Sequence, residues 1–147
     1  MFKHILIPTD GSALSRKAVA KGVKLAASLG ARVTGVFAAP PPTPVVYRDS
    51  LPVGYATPEA HQKMIRAHAA RTLGVVARAA KKAGVRCRTV QTTSDFPADV
   101  ILATAKKNKC DLIVMASHGY RGLKGVLLGN ETQKVLTQSK IPVLVCR

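Results

Sequence analysis

Asp111-Leu112-Ile113-Val114-Met115-Ala116, followed at once by Ser117-His118-Gly119-Tyr120-Arg121-Gly122, decides the fold. Five consecutive apolar residues without polar alternation describe a strand buried on both faces, the habit of parallel sheets covered by helices on each side. The abrupt change to Ser, His and Gly marks the carboxyl end of that strand, where such sheets expose their loops. Upstream, Val85 to Thr92 reads as a strand, and Asp95 or Ser94 can cap a helix running through Asn108. Downstream, a last helix spans about Glu131 to Gln138, and Ile141-Pro-Val-Leu-Val-Cys146 makes a closing strand.

The first half repeats the alternation. Phe2 to Ile7 is apolar and ends at the turn Pro8-Thr9-Asp10-Gly11-Ser12; Leu14, Ala18, Gly22, Leu25, Ala26 and Leu29 then recur at helical spacing up to Gly30. Arg32 to Ala39 returns to β-type residues and must stop at Pro40-Pro41-Pro42, which removes three backbone donors. Pro40 to Thr57 carries five prolines and shows no period, so it reads as an irregular loop, a lid or contact surface. Thr57-Pro58 then opens a long helix ending at Gly84. Strand and helix alternate throughout, which predicts an α/β fold: a single domain over residues 1–147 built on an open, mostly parallel five-stranded sheet with helices on both faces.

Composition limits the function classes. The formal charge is +16, because 23 Lys and Arg oppose seven acids, and this favours anionic partners without choosing among nucleotides, nucleic acid and lipid. The basic residues are dispersed over every helix with no aromatic interleaving, which argues against specific nucleic-acid reading. No apolar run reaches the length of a membrane span, and the opening residues lead straight into a strand, so a cytoplasmic protein is expected. Cys87, Cys110 and Cys146 lack paired spacing and are expected as free thiols; His4, His61 and His68 show no metal-ligand spacing.

Ligands of open parallel sheets bind outside the carboxyl ends of the strands, where strand order reverses. The loops at 8–12 and 116–122 both follow buried strands and should form one pocket. Gly119 is followed after nine residues by Gly129-Asn130-Glu131-Thr132 at a helix start. Glycines admit a close anion, and a helix amino end supplies unpaired N–H groups, so the pattern suits phosphate; it equally suits tight turns. It is neither a Walker loop nor the dinucleotide turn.

Ile5-Leu-Ile-Pro-Thr-Asp-Gly-Ser12, Asp111-Leu-Ile-Val-Met-Ala-Ser-His-Gly119 and Ile141-Pro-Val-Leu-Val145 together resemble the universal stress protein family over nearly the whole chain. The resemblance implies a Rossmann-like fold of the adenine nucleotide alpha hydrolase type. It also implies a homodimeric, ATP-binding regulator with at most slow hydrolysis. Nucleotide-binding members carry Gly-x-x-Gly, nine residues, then Gly and Ser or Thr. Here Ala116 replaces the first glycine and Asn130 the hydroxyl residue, while Gly119 and Gly129 remain; Asn130 can donate through its side-chain amide or simply cap the last helix.

By resemblance, Pro8, Thr9 and Asp10 line the adenine and ribose side, Asp10 accepting from ribose hydroxyls, or else simply capping the first helix or holding its turn. The backbone at Phe37 and Ala38 meets the adenine edge, and Met115 packs near base or sugar or belongs to the core. Ala116, Ser117, His118, Gly119, Arg121, Gly129, Asn130, Glu131 and Thr132 surround the phosphates, with Lys124 nearby and His118 shaping the loop. ATP, AMP or another adenine nucleotide is the implied ligand, with magnesium arriving on its phosphates. Val143, Leu144 and Val145 are the implied dimer edge. A nucleotide-free protein-interaction module, a slow ATPase and a nonspecific nucleic-acid binder stand as alternatives.

Overall fold

The computed structural model describes the backbone of residues 1–41, 45–48, 51–55, 57–119 and 128–147, and the side chains of all of these but 45–48 and 51–55. The elements run β1 (His4–Pro8), α1 (Ala13–Leu29), β2 (Arg32–Ala39), β3 (Val45–Arg48), β4 (Leu51–Tyr55), α2 (Pro58–Lys82), β5 (Cys87–Thr93), α3 (Pro97–Lys107), β6 (Leu112–Ala116), α4 (Asn130–Gln138) and β7 (Val143–Cys146). Five strands form one sheet in the order β5-β2-β1-β6-β7, every neighbouring pair parallel. The chain builds outward from β1 on one side, then crosses to β6 on the other, so strand order reverses between β1 and β6.

Alternate residues of each strand feed two cores. Ile5, Ile7, Leu112 and Val114 meet Ala18, Val19 and Val23 of α1 and Val76 and Ala80 of α2. Leu6, Val36, Ile113 and Met115 meet Val100, Ile101 and Ala105 of α3 and Val135 of α4. Small residues set the spacing: a Cβ on Gly35 would lie 3.0 Å from Val76 Cγ1, so glycine lets α2 settle directly on β2. Asp111 ties the sheet's centre together from its amino edge. Its Oδ2 accepts from Lys3 N at 2.8 Å and its Oδ1 from His4 N at 3.0 Å.

The sequence expectations need four corrections. The stretch from Pro40 to Thr57 is not wholly irregular, because β3 and β4 pair antiparallel as a two-stranded sheet. Proline masked the strand signal there; Pro52 is tolerated beside a register shift between Val46 and Tyr47, where ladder bonds are already interrupted. Neither Ser94 nor Asp95 caps α3. Its N-cap is Phe96, which makes no side-chain cap bond, while Ser94 Oγ accepts from Phe96 N at 3.0 Å. Asn130 does not cap α4, since Gly129 occupies that position and Asn130 is the first helical residue. Asp10 does not cap α1 either; Ser12 does, its side chain accepting from Ser15 N.

Candidate functional site

The reversal between β1 and β6 places two loops side by side at the carboxyl edge. In the first, Thr9 N donates to Val36 O at 3.0 Å, extending the ladder one residue past β1. Buried Thr9 then turns its hydroxyl to Ser15 Oγ at 3.2 Å and accepts from Gly11 N at 3.3 Å. Asp10 holds the turn: Oδ1 accepts from Ser12 N at 2.9 Å, while Gly11 adopts φ +84°, which a side chain would resist. Pro8 is the last residue of β1 and is buried.

The second loop is pinned at both ends. Ser117 N donates to Cys146 O at 2.8 Å, and Ser117 O accepts from Gly129 N at 2.7 Å. Buried Thr132 donates its hydroxyl to Ala116 O at 2.9 Å. Gly129 is confined, for a Cβ there would stand 3.2 Å from His118 Cα. Ser117 Oγ and His118 Nδ1 lie 3.1 Å apart, a local bond that orients the half-buried imidazole.

Gly119 joins the two loops. A Cβ at this position would overlap the Asp10 carboxylate, with Asp10 Cγ at 3.2 Å. Only a residue without a side chain fits the existing approach. Ala116, by contrast, stands outside the positive-φ region, where among the described residues the one non-glycine is Lys109. The methyl group therefore costs no backbone strain, and Ala116 continues β6 in register with Cys146.

The remaining expected site residues divide. Met115 is 6% exposed and packs within the core shared with α3 and α4. Phe37 turns its ring into the sheet's other face, edge-on to His68 with centroids 5.3 Å apart, while its backbone and that of Ala38 run beside β5 near the carboxyl edge. Glu131 has a partner that sequence reading missed: Oε2 accepts from Ala98 N at 2.8 Å, across 33 residues, and Oε1 meets Lys134 Nζ at 3.1 Å. Its carboxylate thus serves the amino end of α3, which has no cap of its own. Arg121 and Lys124 lie outside the described residues.

Burial pushes the Cys110 thiol up to about 11, with Asp111 adding to it, and burial likewise raises Cys87 and Cys146. Among the described residues all three cysteines are free thiols, and no group of three or more His, Cys, Asp or Glu side chains converges to hold a metal. The arrangement offers backbone amides of the first turn of α4, a carboxylate on the β1 turn, and a glycine-lined approach between them.

A family model described as the universal stress protein family matches residues 1–147. The chain belongs to this family. A universal stress protein of Methanocaldococcus jannaschii is 31% identical over 147 residues, covering 100% of this chain and 83% of that protein. Among solved structures, a universal stress protein of Lactobacillus plantarum superposes with a TM-score of 0.76 at 22% identity, covering 99% of this chain and 98% of the other. One solved in complex with cAMP gives 0.69 at 24%, covering 98% and 95%, and one from Archaeoglobus fulgidus in complex with dAMP gives 0.68 at 15%, covering 100% and 98%. Likeness at these identities shows that the chain has the universal stress protein fold. No helix among the described residues is long and apolar enough to cross a membrane.

Proposed function

We propose that this universal stress protein binds an adenine nucleotide, ATP or AMP, at the carboxyl edge between β1 and β6, and acts as a cytoplasmic regulator rather than an efficient enzyme. The observation that carries the reading is the contact of Gly119 with Asp10. It joins the two loops at the strand-order reversal, where parallel sheets bind ligands, and it sets a carboxylate suited to ribose hydroxyls beside a route to the first turn of α4. That turn has orphan amides and a partial positive charge, chemistry matched to phosphate. Solved relatives in complex with cAMP and dAMP support adenine as the base.

In this reading Pro8, Thr9, Asp10 and the backbone of Phe37 and Ala38 face the nucleoside. Ser117, His118, Gly119, Gly129, Asn130 and Thr132 surround the phosphates, with Arg121 adding charge. Any magnesium is held by the phosphates. The sheet's edge strand β7, where Leu144 is 45% exposed, pairs with a second copy to form a homodimer. Calorimetric titration with ATP, AMP, cAMP and GTP tests the site. Saturable, adenine-selective binding should weaken strongly in Asp10→Asn, which keeps the acceptor for Ser12, and in Gly119→Ala. Folded protein that binds none of the four nucleotides would refute the proposal.

A further inference from the structure

The ends of the strands opposite the nucleotide cleft are built by one device used three times. Helices α1, α2 and α3 each close with a residue in the left-handed region, Gly30 at φ 64°, Gly84 at 68° and Lys109 at 53°. In each case the next amide reaches five residues back: Ala31 to Ala26 O, Val85 to Ala80 O and Cys110 to Ala105 O, all at 2.9 Å. Each turn delivers basic residues to the same edge on a fixed backbone: Arg32, then Arg86 and Arg88, then Lys107 and Lys109.

Strand register brings these groups together. His4 lies beside Arg32, and Thr34 beside Arg88. Residues two apart share a face, so His4, Arg32, Thr34 and Arg88 all stand on the side covered by α3. There His4, Arg32 and Arg88 line, with Arg86, Lys107 and Lys109, an open cavity of about 370 Å³.

We propose that this cavity is a second binding site, for a condensed phosphate such as a di- or triphosphate group, independent of the nucleotide cleft. Five cations line it, and the neighbouring acid, Asp111, spends both oxygens on the amides of Lys3 and His4. Among the described residues the one ion pair lies elsewhere, at Glu131 and Lys134. The five exposed cations thus outnumber the one acid beside them, and a multiply charged anion relieves their repulsion.

The inner wall gives an independent sign. His4 is 4% exposed; its Nε2 is 2.8 Å from Thr34 Oγ1, while its buried Nδ1 makes no well-formed hydrogen bond among the described residues, the Asn108 backbone being close enough only to raise the ring's basicity. A buried nitrogen so weakly satisfied calls for a ligand or water. Burial and then Arg32 lower the pKa of His4, although the Asn108 backbone and Asp111 pull the other way. Lys109 holds a conformation that glycine serves at both sister turns, a strained choice that puts an ammonium at the rim.

The lining also selects among anions. Guanidinium forks match phosphate oxygens in pairs. Among the described residues the walls carry no Phe, Tyr or Trp on which a base could stack, unlike single-strand binding surfaces. The volume falls at the small end of the roughly 300–1,000 Å³ typical of ligand sites. Charge density, not a base, is what the pocket recognises.

The test is calorimetry of the full chain with tripolyphosphate at near-physiological salt, in the presence of saturating AMP. Two charge-matched double variants accompany it: Arg88→Gln with Lys107→Gln in the pocket, and Lys17→Gln with Lys24→Gln on exposed α1. One saturable site is expected, weakened about tenfold or more by the pocket pair and unchanged by the α1 pair. Amide shifts should centre on Arg32, Arg88 and Asn108. Displacement of tripolyphosphate from these amides by ATP would identify a nucleotide's phosphate tail as the source, and its persistence would identify free condensed phosphate. Equal weakening by both pairs would show a diffuse cationic field and overturn the proposal. So would shifts confined to the carboxyl-edge loops, or no binding at all.

Discussion

Replacing Glu131 by alanine should loosen a helix more than thirty residues away. The amino end of α3 begins at Pro97, and its N-cap, Phe96, offers no side-chain acceptor. The Ala98 amide is satisfied instead by Glu131 Oε2 at 2.8 Å. Losing a cap acceptor costs about 1 kcal/mol, and losing the negative charge near the positive helix end adds roughly 0.3–1 kcal/mol. The pair with Lys134 contributes little, since both side chains are more than a third exposed, 52% for the lysine and 39% for Glu131. Glu131→Ala should therefore lose about 1–2 kcal/mol, a Tm drop of roughly 3–8 °C for a chain of this size. Lys134→Ala should lose under about 0.5 kcal/mol. Thermal denaturation of both variants, with amide hydrogen exchange at Ala98, measures the difference. Glu131→Gln, which keeps an oxygen, should fall between them. A Glu131→Ala loss no larger than that of Lys134→Ala, with Ala98 exchanging as before, would refute the reasoning.

Lys109→Gly should raise stability by about 0.5–1 kcal/mol in denaturant titrations, because relief of a left-handed non-glycine residue outweighs glycine's added freedom in the unfolded chain. Gly119→Ala should cost about 1 kcal/mol, as Asp10 rotates away from the new methyl group and gives up its bond to Ser12 N, and nucleotide titration should show weakened binding in the same variant. Asp111 titrates below its ordinary 3.8: burial opposes ionisation, but the amides of Lys3 and His4 outweigh it. Its stabilisation is thus full above about pH 4 and lost as pH falls further, so Asp111→Asn should flatten the stability profile in that acid range. His4 is also depressed, from 6.5 by burial and then Arg32, so protonating it opposes folding. Stability should decline as pH drops below about 6.5, and that decline should vanish in His4→Gln, measured by urea unfolding at each pH.

The sheet was legible because its strands are local apolar runs and its helices end on glycine, at Gly30 and Gly84. The third helix end was not legible in the same way, since Lys109 fills a position where glycine is the usual signal. The hairpin of β3 and β4 hid behind its prolines, which lower strand propensity without forbidding an edge ladder. The role of Glu131 was invisible because its partner, Ala98, is a backbone amide fixed only by the packing of α4 against α3. Charge told a similar story. Arg32, Arg86, Arg88, Lys107 and Lys109 look scattered along the chain, and only the register of β1, β2 and β5 gathers them into one cavity. At the carboxyl edge, Gly119 and Gly129 were readable from spacing, but the neighbour that makes Gly119 necessary, Asp10, lies more than a hundred residues away.

The bonds from Gly129 N to Ser117 O and from Thr132 Oγ1 to Ala116 O act as a clasp across the base of the second loop. The clasp ties the carboxyl end of β6 to the amino end of α4 across sixteen residues. Strand and helix therefore reach the carboxyl edge as one piece, and the helix amides are held in place before any ligand arrives.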